Sequence, residues 1–467
     1  MKRIFVTETV DKQGETVLLQ GWVNVRRDMG KIGFIDLRDR SGIVQVVLVP
    51  DELNEEGKTA IKELRPEYCV SIVGEVKSRS AKQINPAMPT GTVEILAKEV
   101  TILNAAKTPP FELADTSGVS EDVRLKYRYL DLRSPRMAKT LQLRDQVATC
   151  MRQFLHDHGF TEVETPYITR GTPEGSREFL VPSRLHPGEF YALPQSPQQF
   201  KQLLMVAGVE RYFQFARCFR DEDQRGDRQP EFTQLDLEMS FVEREDVMAL
   251  VEEMMLHTVK TVTPEKTVAS VPIHRLSYAE AMEKYGTDKP DLRKDKNDPN
   301  ELAFVWIVDF PFFEKTDEGG WTFSHNPFSR PKPEHMSWLM EKTHVEEILT
   351  TQYDLVLNGY EIFGGSIRNH EPAALRRVFE IMGMDEKHIQ ENFGHMLEAF
   401  EYGCPPHGGI ASGHDRVVML LANEPNIREV IPFPKTGDAR DLMMGAPSPV
   451  EKARLEEVHI EVKKKKK

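Results

Sequence analysis

A loop rich in arginine and carboxylate side chains lies between two apolar segments in the middle of the chain. Residues Phe219–Phe232 read FRDEDQRGDRQPEF, and strand-like residues flank them at Tyr212–Ala216 and Phe232–Phe241. This pattern predicts two antiparallel strands joined by a long polar loop. Arg220, at the end of the first strand, carries a planar guanidinium group that suits a phosphate or a carboxylate. We therefore expect an anion-binding site here.

Two carboxylates and a run of glycines mark a second segment. Asp354 and Glu361 lie at the two ends of a strand-like stretch that leads into Gly364-Gly365-Ser366. Glycine lets the backbone approach a ligand closely, where a larger residue would obstruct it. An isolated acidic residue is usually a surface charge, and a glycine pair alone indicates little. By itself, this segment leaves a ligand site open.

An aromatic residue lies on a polar strand face near the N-terminus. In the predicted strand Gly33–Arg38, alternation puts Phe34 on the same side as Asp36 and Arg38. Such a face can stack a nucleic-acid base, which contributes about 1–3 kcal/mol. Three neighbours could assist, because an amide reads a base edge and guanidinium groups hold phosphates: Gln45, Arg26 and Arg27. The simpler alternative is a partly buried phenylalanine on a solvated strand face.

The elements around these residues form two groups. Five short strands and one helical stretch fall between Val17 and Leu103, which predicts a small closed barrel of the OB type, although an SH3-like barrel or a sandwich would give a similar pattern. A linker signature follows at Lys107–Pro110, and a long helix is predicted from about Ser134 to His158. Strands then alternate with helices to the end. The polar residues Lys289–Asn300 are interpreted as a surface connection.

Composition narrows the class of protein. The 467 residues are 39% hydrophobic and 29% charged, with a net charge of −13, which excludes a protein that coats nucleic acid by bulk electrostatics. Residues 1–107 hold 16 basic and 15 acidic side chains, so the acidity lies in the rest of the chain. No apolar run approaches the roughly 20 residues of a membrane span, and the early charges do not fit a signal sequence, so a soluble cytoplasmic protein is expected. The four cysteines lie far apart, which indicates buried thiols and neither disulfides nor zinc. The terminal lysines Lys463–Lys467 are interpreted as a solvated tail.

Several motifs resemble one family of enzymes. FRDED followed by RQPEFTQLD resembles motif 2 of the class II aminoacyl-tRNA synthetases, in the form found in aspartyl-tRNA synthetases of bacterial type. Gly413–Arg416 resembles motif 3, and Gly159–Pro166 resembles motif 1, which forms the dimer interface in that class. The segments Gln195–Lys201 and Gly359–Arg368 extend the resemblance over nearly the whole chain in the right order.

The resemblance implies an α+β fold. Residues 1–107 would form an OB-fold anticodon-binding domain and residues 108–133 a linker or hinge. Residues 134–467 would form a catalytic domain built on an antiparallel sheet flanked by helices. Bacterial relatives insert a further domain between motifs 2 and 3, which here would be reduced to a loop near residues 289–300. The expected partners are tRNA-Asp, L-aspartate, ATP, Mg²⁺ and a second copy of the chain in a homodimer.

The implied reaction joins two anions. The α-carboxylate of aspartate attacks the α-phosphate of ATP and releases pyrophosphate, after which the 3′-hydroxyl of the terminal tRNA adenosine takes the aspartyl group. By resemblance, Arg220 bridges the α-phosphate and the attacking carboxylate, and Arg416 holds the γ-phosphate; these two are the expected catalytic residues. Lys201 and Arg368 read the substrate β-carboxylate, and Asp236 orients both cations.

The remaining site residues are also implied by resemblance. The expected ATP-binding residues are Arg220, Asp221, Glu222, Gln229, Glu361, Gly413, His414, Asp415 and Arg416. The expected aspartate-binding residues are Glu174, Ser196, Gln198, Lys201, Arg220, Asp236, His325 and Arg368. The expected metal ligands are Asp354 and Glu361, and the expected anticodon-binding residues are Arg26, Arg27, Phe34 and Gln45.

The chain departs from the family pattern at several positions. Asn326 stands where a second histidine is common, Phe363 stands where a glycine is common, and Met29 lies in a turn where anticodon selectivity is adjusted. Charging of tRNA-Asn as well as tRNA-Asp therefore stays open. An asparaginyl or lysyl synthetase on the same scaffold, or a non-catalytic RNA-binding protein, would share many of these motifs. Lys201 with Arg368 favours an acidic substrate over asparagine or lysine.

Overall fold

The computed structural model describes residues 1–171 and 175–463, and these form two compact units. The first unit comprises Met1–Ser120 and Tyr129–Ala138, and the second comprises Glu121–Arg128 and the chain from Lys139 onward. The domain limits proposed from the sequence, at residues 107 and 133, stay a prediction.

The first unit is a closed five-stranded barrel. Its strands are β1 (Thr16–Met29), β2 (Ile32–Arg38), β3 (Ile43–Leu48), β4 (Cys69–Ser78) and β5 (Val93–Asn104), with helix α1 (Glu55–Glu63) between β3 and β4. They pair in the order β1-β2-β3-β5-β4, and of the pairs described within this barrel only β3 with β5 is parallel. The predicted OB fold is confirmed.

Alternation along the strands builds the barrel core. Leu19, Val23, Ile35 and Ile72 have no exposed surface, while the residues between them are partly exposed. Helix α1 begins where the Asn54 side chain accepts a hydrogen bond from the Gly57 amide at 2.8 Å.

The second unit contains the long helix that the sequence predicted. Helix α2 (Glu121–Lys126) belongs to this unit, whereas α3 (Arg128–Asp131) lies almost wholly in the first. Helix α4 spans Pro135–Asp157 and belongs to the second unit from Lys139 onward. The later helices are α5 (Gln198–Val206), α6 (Arg244–Val262), α7 (Tyr278–Tyr285), α8 (Met336–Glu341), α9 (Pro372–Ile381), α10 (Glu386–Phe400), α11 (His414–Ala422) and α12 (Lys452–Glu457). Every helix in the described residues is too short or too polar to cross a bilayer.

The strands of the second unit form one large sheet and three small pairs. In chain order they are β6 (Thr161–Glu162), β7 (Leu180–Pro182), β8 (Phe190–Ala192), β9 (Arg211–Phe219), β10 (Glu231–Ser240), β11 (Thr267–Val268), β12 (His274–Ser277), β13 (Glu301–Leu302), β14 (Phe304–Val308), β15 (Phe313–Lys315), β16 (Trp321–Phe323), β17 (Gln352–Leu357), β18 (Tyr360–Ile367) and β19 (His407–Gly413). The small pairs are β7 with β8, β11 with β13, and β15 with β16.

The large sheet is antiparallel in its interior and parallel at its two edges. Its order is β12-β14-β17-β18-β19-β10-β9-β6, and the pairs from β14 to β9 are antiparallel. The edge pairs β12 with β14 and β6 with β9 are parallel, because α7 and α5 lie in the long connections that separate these strands. The predicted antiparallel sheet is therefore confirmed for its inner strands, within a sheet that is mixed overall.

One face of this sheet is covered by helices. Apolar residues of α4, α6 and α11 pack against it, with Val251 and Met254 of α6 fully buried. Leu235 and Leu237 of β10 and Leu355 of β17 point into this core. Because side chains alternate along a strand, the residues between them point to the other face.

Candidate active site

The face of the sheet away from the helical core carries polar side chains. On β10, Gln234, Asp236 and Glu238 alternate with core leucines. On β17, Gln352 and Asp354 alternate with the core residues Tyr353 and Leu355. All five are at least partly buried. Burial of so many polar groups needs hydrogen-bonding or ionic partners, which is typical of a ligand site.

A pocket of about 530 Å³ opens on this polar face. Its walls come from β10, β17, β18, the loop after β9, and the starts of α5 and α11. The predicted site residues that line it are Ser196, Gln198, Lys201, Arg220, Glu222, Gln229, Asp236, His325, Asp354, Glu361, Arg368, Gly413, Asp415 and Arg416. Asp221 and His414 do not line it, and Glu174 lies outside the described residues.

Three buried charged residues, Lys201, Asp236 and Arg368, line the floor of the pocket, and a fourth, Glu238, does not line it but pairs with both cations. The Lys201 ammonium lies 2.6 Å from Asp236 Oδ1 and 3.2 Å from Glu238 Oε2. The Arg368 guanidinium donates to both Glu238 oxygens, at 2.8 and 3.1 Å, and to Ser366 Oγ at 2.9 Å. The expectation that Asp236 orients both cations is therefore wrong for Arg368, which Glu238 holds. Two positive and two negative charges balance one another.

Glu238 is a site residue that sequence reasoning missed. It lies two positions after Asp236 on β10, so strand alternation was the signal that could have found it. Gly409 on β19 makes room for its carboxylate, because a Cβ atom there would lie 1.9 Å from Glu238 Oε2. Arg368 reaches Glu238 from 130 positions away in the chain.

Burial raises the pKa values of Glu238 and Asp236, whereas the neighbouring cations lower them. Burial alone would raise the pKa of Glu238, but Arg368 and Lys201 outweigh it and lower the pKa to about 2. For Asp236 burial dominates over Lys201 and raises the pKa. Asp236 Oδ2 is buried and has no hydrogen-bond partner among the described residues. This oxygen is therefore available to accept a hydrogen bond from a ligand in the pocket.

Arg220 begins the loop between β9 and β10, as the sequence predicted. Its guanidinium carbon lies 5.1 Å from the centre of the Phe232 ring, which stabilises it by a cation–π contact. Its Nε is buried without a hydrogen-bond partner among residues 1–171 and 175–463. Phe232 also lines the pocket, a position that the sequence analysis did not assign.

The rest of this loop is held by its own contacts. Glu222 pairs with Arg228 at 3.2 Å and contacts Ser176 Oγ. The Gln229 side chain accepts from the Lys435 amide at 2.7 Å and donates to the Lys435 carbonyl at 3.1 Å. Gln229 thus ties the loop to the C-terminal part of the unit.

The segment Gly413–Arg416 lies at the junction of β19 and α11. Arg416 Nη1 donates to the Glu361 carbonyl at 2.9 Å, and Nη2 lies 3.1 Å from Asp227 Oδ2. Asp415 accepts from the Thr233 amide at 2.9 Å and is paired with Arg144, so it joins β10 to α4. His414 is buried with its ring edge-on to Phe215 at 5.2 Å between ring centres, and burial holds its pKa well below the ordinary value.

Asp354 and Glu361 lie on two strands of a hairpin, not at the two ends of one strand as expected. Asp354 on β17 pairs with Gly364 on β18, and a Cβ atom at Gly364 would lie 3.2 Å from Asp354 Oδ1 and 3.3 Å from Glu361 Oε1. The glycine therefore leaves open the space that both carboxylates border. Burial and the charge of Glu361 raise the pKa of Asp354 well above its usual range.

Lys289 is a second residue that the sequence analysis assigned differently. Lys289 belongs to the segment that the sequence predicts as a surface connection, but it lines the pocket, and its ammonium lies 3.0 Å from Glu361 Oε2. Withdrawal of Glu361 from water would raise its pKa, yet Lys289 and Arg416 outweigh this and lower it.

The two carboxylates fit a divalent cation that also binds phosphate. Mg²⁺ is typically held in proteins by one or two carboxylates together with phosphate oxygens and waters. The open space at Gly364 lies between Asp354 and Glu361, and both supply hard oxygen atoms. Within the described residues no group of three or more histidine, cysteine or acidic side chains is arranged to hold a metal.

Phe363 and Asn326, which depart from the family pattern, are both placed by the structure. Phe363 is buried in the helical core, so it takes no space from the pocket. The Asn326 side-chain Oδ1 accepts from the Phe328 amide at 3.0 Å and shapes the turn beside His325. The His325 ring packs edge-on against Phe310 at 4.7 Å between ring centres, and burial lowers its pKa.

The strand face that was predicted to stack a base points away from the barrel core. Ile35 and Leu37 are fully buried, while Phe34 and Asp36 are partly exposed on the opposite face. Asp36 pairs with Arg27 at 2.9 Å.

Two further residues predicted to bind the anticodon have structural partners. Gln45 donates to Glu94 at 3.1 Å. Arg26 donates to the Ile61 and Leu64 carbonyls, both at 2.8 Å, and so stabilises the end of α1.

The chain matches two family models. Residues 120–437 match tRNA synthetases class II (D, K and N), and residues 17–103 match an OB-fold nucleic acid binding domain. The first match covers the sheet, the pocket and the motif 3 segment, and the second covers the barrel strands.

Curated relatives are similar over nearly the whole chain. An aspartate–tRNA(Asp/Asn) ligase of Geobacillus sp. strain WCH70 is 42% identical over 97% of each chain, and an aspartate–tRNA ligase of Bacillus licheniformis is also 42% identical over 97% of each. The first alignment spans 579 positions, more than a hundred beyond the 467 residues of this chain, so long gaps interrupt this chain in the alignment.

Solved structures share the fold. Asparaginyl-tRNA synthetase from Pyrococcus horikoshii with asparaginyl-adenylate superposes with a TM-score of 0.74 at 22% identity, covering 93% of this chain and 98% of that one. Aspartyl-tRNA synthetase from Entamoeba histolytica superposes with a TM-score of 0.71 at 22% identity, covering 93% and 91%.

Proposed function

The chain belongs to the class II tRNA synthetases (D, K and N), and we propose that it is an aspartate–tRNA ligase. It uses ATP to activate L-aspartate as aspartyl-adenylate and then transfers the aspartyl group to tRNA-Asp. The observation that carries the choice of amino acid is the buried pair of cations, Lys201 and Arg368, at the floor of the pocket.

The floor of the pocket can meet each charge of aspartate with an opposite charge. The Lys201 ammonium and the Arg368 guanidinium face the β-carboxylate, while Asp236 Oδ2, which lacks a partner among the described residues, accepts from the substrate ammonium. Asparagine would turn its amide NH₂ toward two cations, and unpaired buried donors cost about 1–3 kcal/mol. Lysine would put a third cation there. An acidic substrate is therefore favoured over both.

Arg220 is the proposed residue that brings the two anions of the first step together. The attacking carboxylate and the α-phosphate repel each other, and charge increases at phosphorus as they meet. The planar fork of Arg220 can bind both anions, and Phe232 holds its guanidinium group in the pocket.

Arg416 is the proposed ligand of the γ-phosphate. It must exchange Asp227, which now lies 3.1 Å away, for the nucleotide. Mg²⁺, which Asp354 and Glu361 would hold together with the phosphates, supplies positive charge to the triphosphate when it is bound. Glu222 and Gln229 support the loop over the nucleotide.

The barrel is the proposed reader of the anticodon. An OB-fold presents a strand face to single-stranded nucleic acid, and Phe34 offers an aromatic ring on that face. Arg27 can exchange Asp36 for a phosphate, while Arg26 and Gln45 would each have to leave a present partner. Phe34 and Arg27 are therefore the stronger candidates.

Charging of tRNA-Asn is a second candidate activity. The two curated relatives are equally similar to this chain, yet the Geobacillus protein is named for both tRNAs and the Bacillus protein for aspartate ligation alone. Met29 is 70% exposed at the turn between β1 and β2, where it is free to contact an anticodon. Its neighbour Gly30 adopts a φ of +64°, which keeps this turn tight.

Two assays test these proposals. ATP–pyrophosphate exchange should depend on aspartate, and exchange supported by asparagine or lysine instead would assign another substrate. Binding of tRNA without any exchange would make the chain a non-catalytic RNA-binding protein. Aminoacylation of tRNA-Asp and tRNA-Asn transcripts side by side then separates the two forms, because only a non-discriminating enzyme charges both.

A homodimer working in the cytoplasm is part of the proposal. The segment Gly159–Pro166, which resembles the motif 1 dimer element, contains the two residues of edge strand β6 of the large sheet. Ribosomes use aminoacyl-tRNA, so we expect the ligase in the cytoplasm, where translation takes place. A monomer in sedimentation at micromolar concentration would contradict the dimer.

A further inference from the structure

Lys289 occupies a position in the pocket that the reaction described above does not use. It follows α7 in the loop that leads to β13, and its ammonium reaches the Glu361 carboxylate at 3.0 Å. The side chain is 39% exposed, so it is accessible to a ligand that enters the pocket.

The backbone around Lys289 is fixed by packing. Pro290 is buried, and Leu292 packs on the apolar cluster formed by residues of β12, α7 and β14. The Lys289 carbonyl approaches the turn between β17 and β18, 3.9 Å from where a Cβ atom at Gly359 would lie. The loop therefore delivers this one ammonium to the pocket from a rigid base, while the following residues 294–300 are exposed.

The charges around Glu361 make Lys289 the cation that matters most there. Arg416, the second cation nearby, donates a hydrogen bond to the Glu361 main-chain carbonyl and forms an ion pair with Asp227. In the part of the chain that the structure describes, Lys289 is the side chain that forms an ion pair with the Glu361 carboxylate. Asp354 lies across the same open space, so without Lys289 the two carboxylates would face each other and the Glu361 carboxylate would lose its ion pair.

Lys289 holds Glu361 Oε2, and a divalent cation in the open space would bind Glu361 Oε1, so the two cations would repel each other across one carboxylate. Lysine is nevertheless a common phosphate ligand and carries its charge on a flexible stem. We propose that Lys289 is a phosphate-binding residue of the nucleotide site, which neutralises Glu361 in the free enzyme and moves to a phosphate oxygen of ATP when nucleotide and metal arrive. This proposal rests on the proposed function, since it deepens the ATP site of the same pocket.

The test compares Lys289→Ala and Lys289→Arg with the matched control Lys294→Ala, an exposed lysine of the same loop. In Lys289→Ala the Kd for ATP in excess Mg²⁺ should rise by about tenfold or more, the value of one lost charge-assisted contact. The Lys289→Arg variant should recover part of this loss. The KM for aspartate should stay unchanged in all three.

Binding of Mn²⁺ without nucleotide gives a readout apart from activity. Electron paramagnetic resonance of free Mn²⁺ should show tighter binding by Lys289→Ala than by the unaltered protein, by about tenfold, because the competing ammonium is gone. Unchanged binding of both ATP and Mn²⁺, with only a lower melting temperature, would reduce Lys289 to a structural residue and overturn the proposal. Aspartate-dependent ATP–pyrophosphate exchange by the unaltered protein tests the proposed function independently. If that exchange occurs while the Lys289 variants bind ATP and Mn²⁺ normally, only the role of Lys289 is refuted.

Discussion

At the scale of residues, Glu238 determines the charge balance of the pocket. It accepts hydrogen bonds from Arg368 and lies 3.2 Å from Lys201, with no exposed surface. A buried ion pair need not stabilise a protein more than apolar residues would, but removal of one partner leaves the remaining charge buried and unpaired. Glu238 is thus needed both for folding and for the direction in which Arg368 points.

We predict that Glu238→Gln lowers the free energy of unfolding by about 3–5 kcal/mol, because Arg368 and Lys201 lose their shared partner. Urea denaturation at neutral pH measures this loss. The matched control is Glu245→Gln, which removes an exposed partner of Arg275 and should cost less than about 1 kcal/mol. Equal losses in the two variants would contradict the assigned role of Glu238.

His407 makes stability depend on pH. Burial lowers its pKa from 6.5 to about 4, and Gln202 and the Pro405 carbonyl hold the neutral ring. Between these two pH values the unfolded chain binds a proton that the folded protein does not bind. The free energy of unfolding therefore falls as pH decreases from 6.5 to about 4, and this contribution levels off below about 4.

We predict that His407→Gln reduces the loss of stability between pH 7 and pH 4.5 by up to about 3 kcal/mol, since the variant has no proton to bind at this position. Urea unfolding at both pH values gives the difference. His186→Gln, at an exposed position, is the matched control that separates the effect of His407 from that of a surface histidine. An unchanged slope in His407→Gln would show that other groups cause the effect.

At the scale of elements, the hairpin of β17 and β18 determines where a ligand has space to bind against the sheet. Two adjacent glycines on β18 serve different purposes. Gly364 faces the open space between Asp354 and Glu361, whereas a Cβ atom at Gly365 would lie 2.2 Å from the Gly409 carbonyl of β19. The first glycine leaves space for a ligand, and the second lets two strands approach.

We predict opposite outcomes for the two alanine variants. Gly364→Ala should fold with little loss of stability but raise the KM for ATP, because its methyl group occupies space beside both carboxylates. Gly365→Ala should unfold at lower urea concentration, because strands β18 and β19 must separate. Steady-state exchange kinetics and urea denaturation of both variants test this contrast, and a Gly364→Ala enzyme with unchanged KM for ATP would argue against a ligand at that position.

At the scale of the whole molecule, two units carry two different tasks. The pocket belongs to the second unit, and the strand face that we propose as the base-stacking surface belongs to the first. Residues 1–107 are nearly neutral, with 16 basic and 15 acidic side chains, so tRNA recognition there must depend on local contacts. Activation of aspartate and selection of tRNA should therefore respond to different mutations.

We predict that Phe34→Leu raises the KM for tRNA-Asp by about tenfold, the value of about 1.4 kcal/mol of lost base stacking. The leucine keeps an apolar side chain but removes the aromatic face. ATP–pyrophosphate exchange should be unchanged, because no residue of the pocket is altered. A loss of exchange would contradict the separation of tasks, and an unchanged KM would remove Phe34 from the anticodon site.

Much of the fold was predictable from local patterns. Period-two alternation identified the barrel strands, and the apolar segments around Phe219–Phe232 identified the β9–β10 hairpin, because both signals depend on neighbours a few residues apart. The motif residues Arg220, Lys201, Arg368 and Arg416 do line one pocket, as their resemblance to a known family implied.

The partners of these residues depended on the tertiary structure. Glu238 meets Arg368 from 130 positions away, and Lys289 reaches Glu361 only because its loop packs on the β17–β18 turn. The sequence by itself determined which side chains are able to carry charge and which strands present them. Which charges pair, and which stay available for a ligand, was decided by strand order and burial, since Coulomb attraction in a protein interior depends on distance in space rather than along the chain.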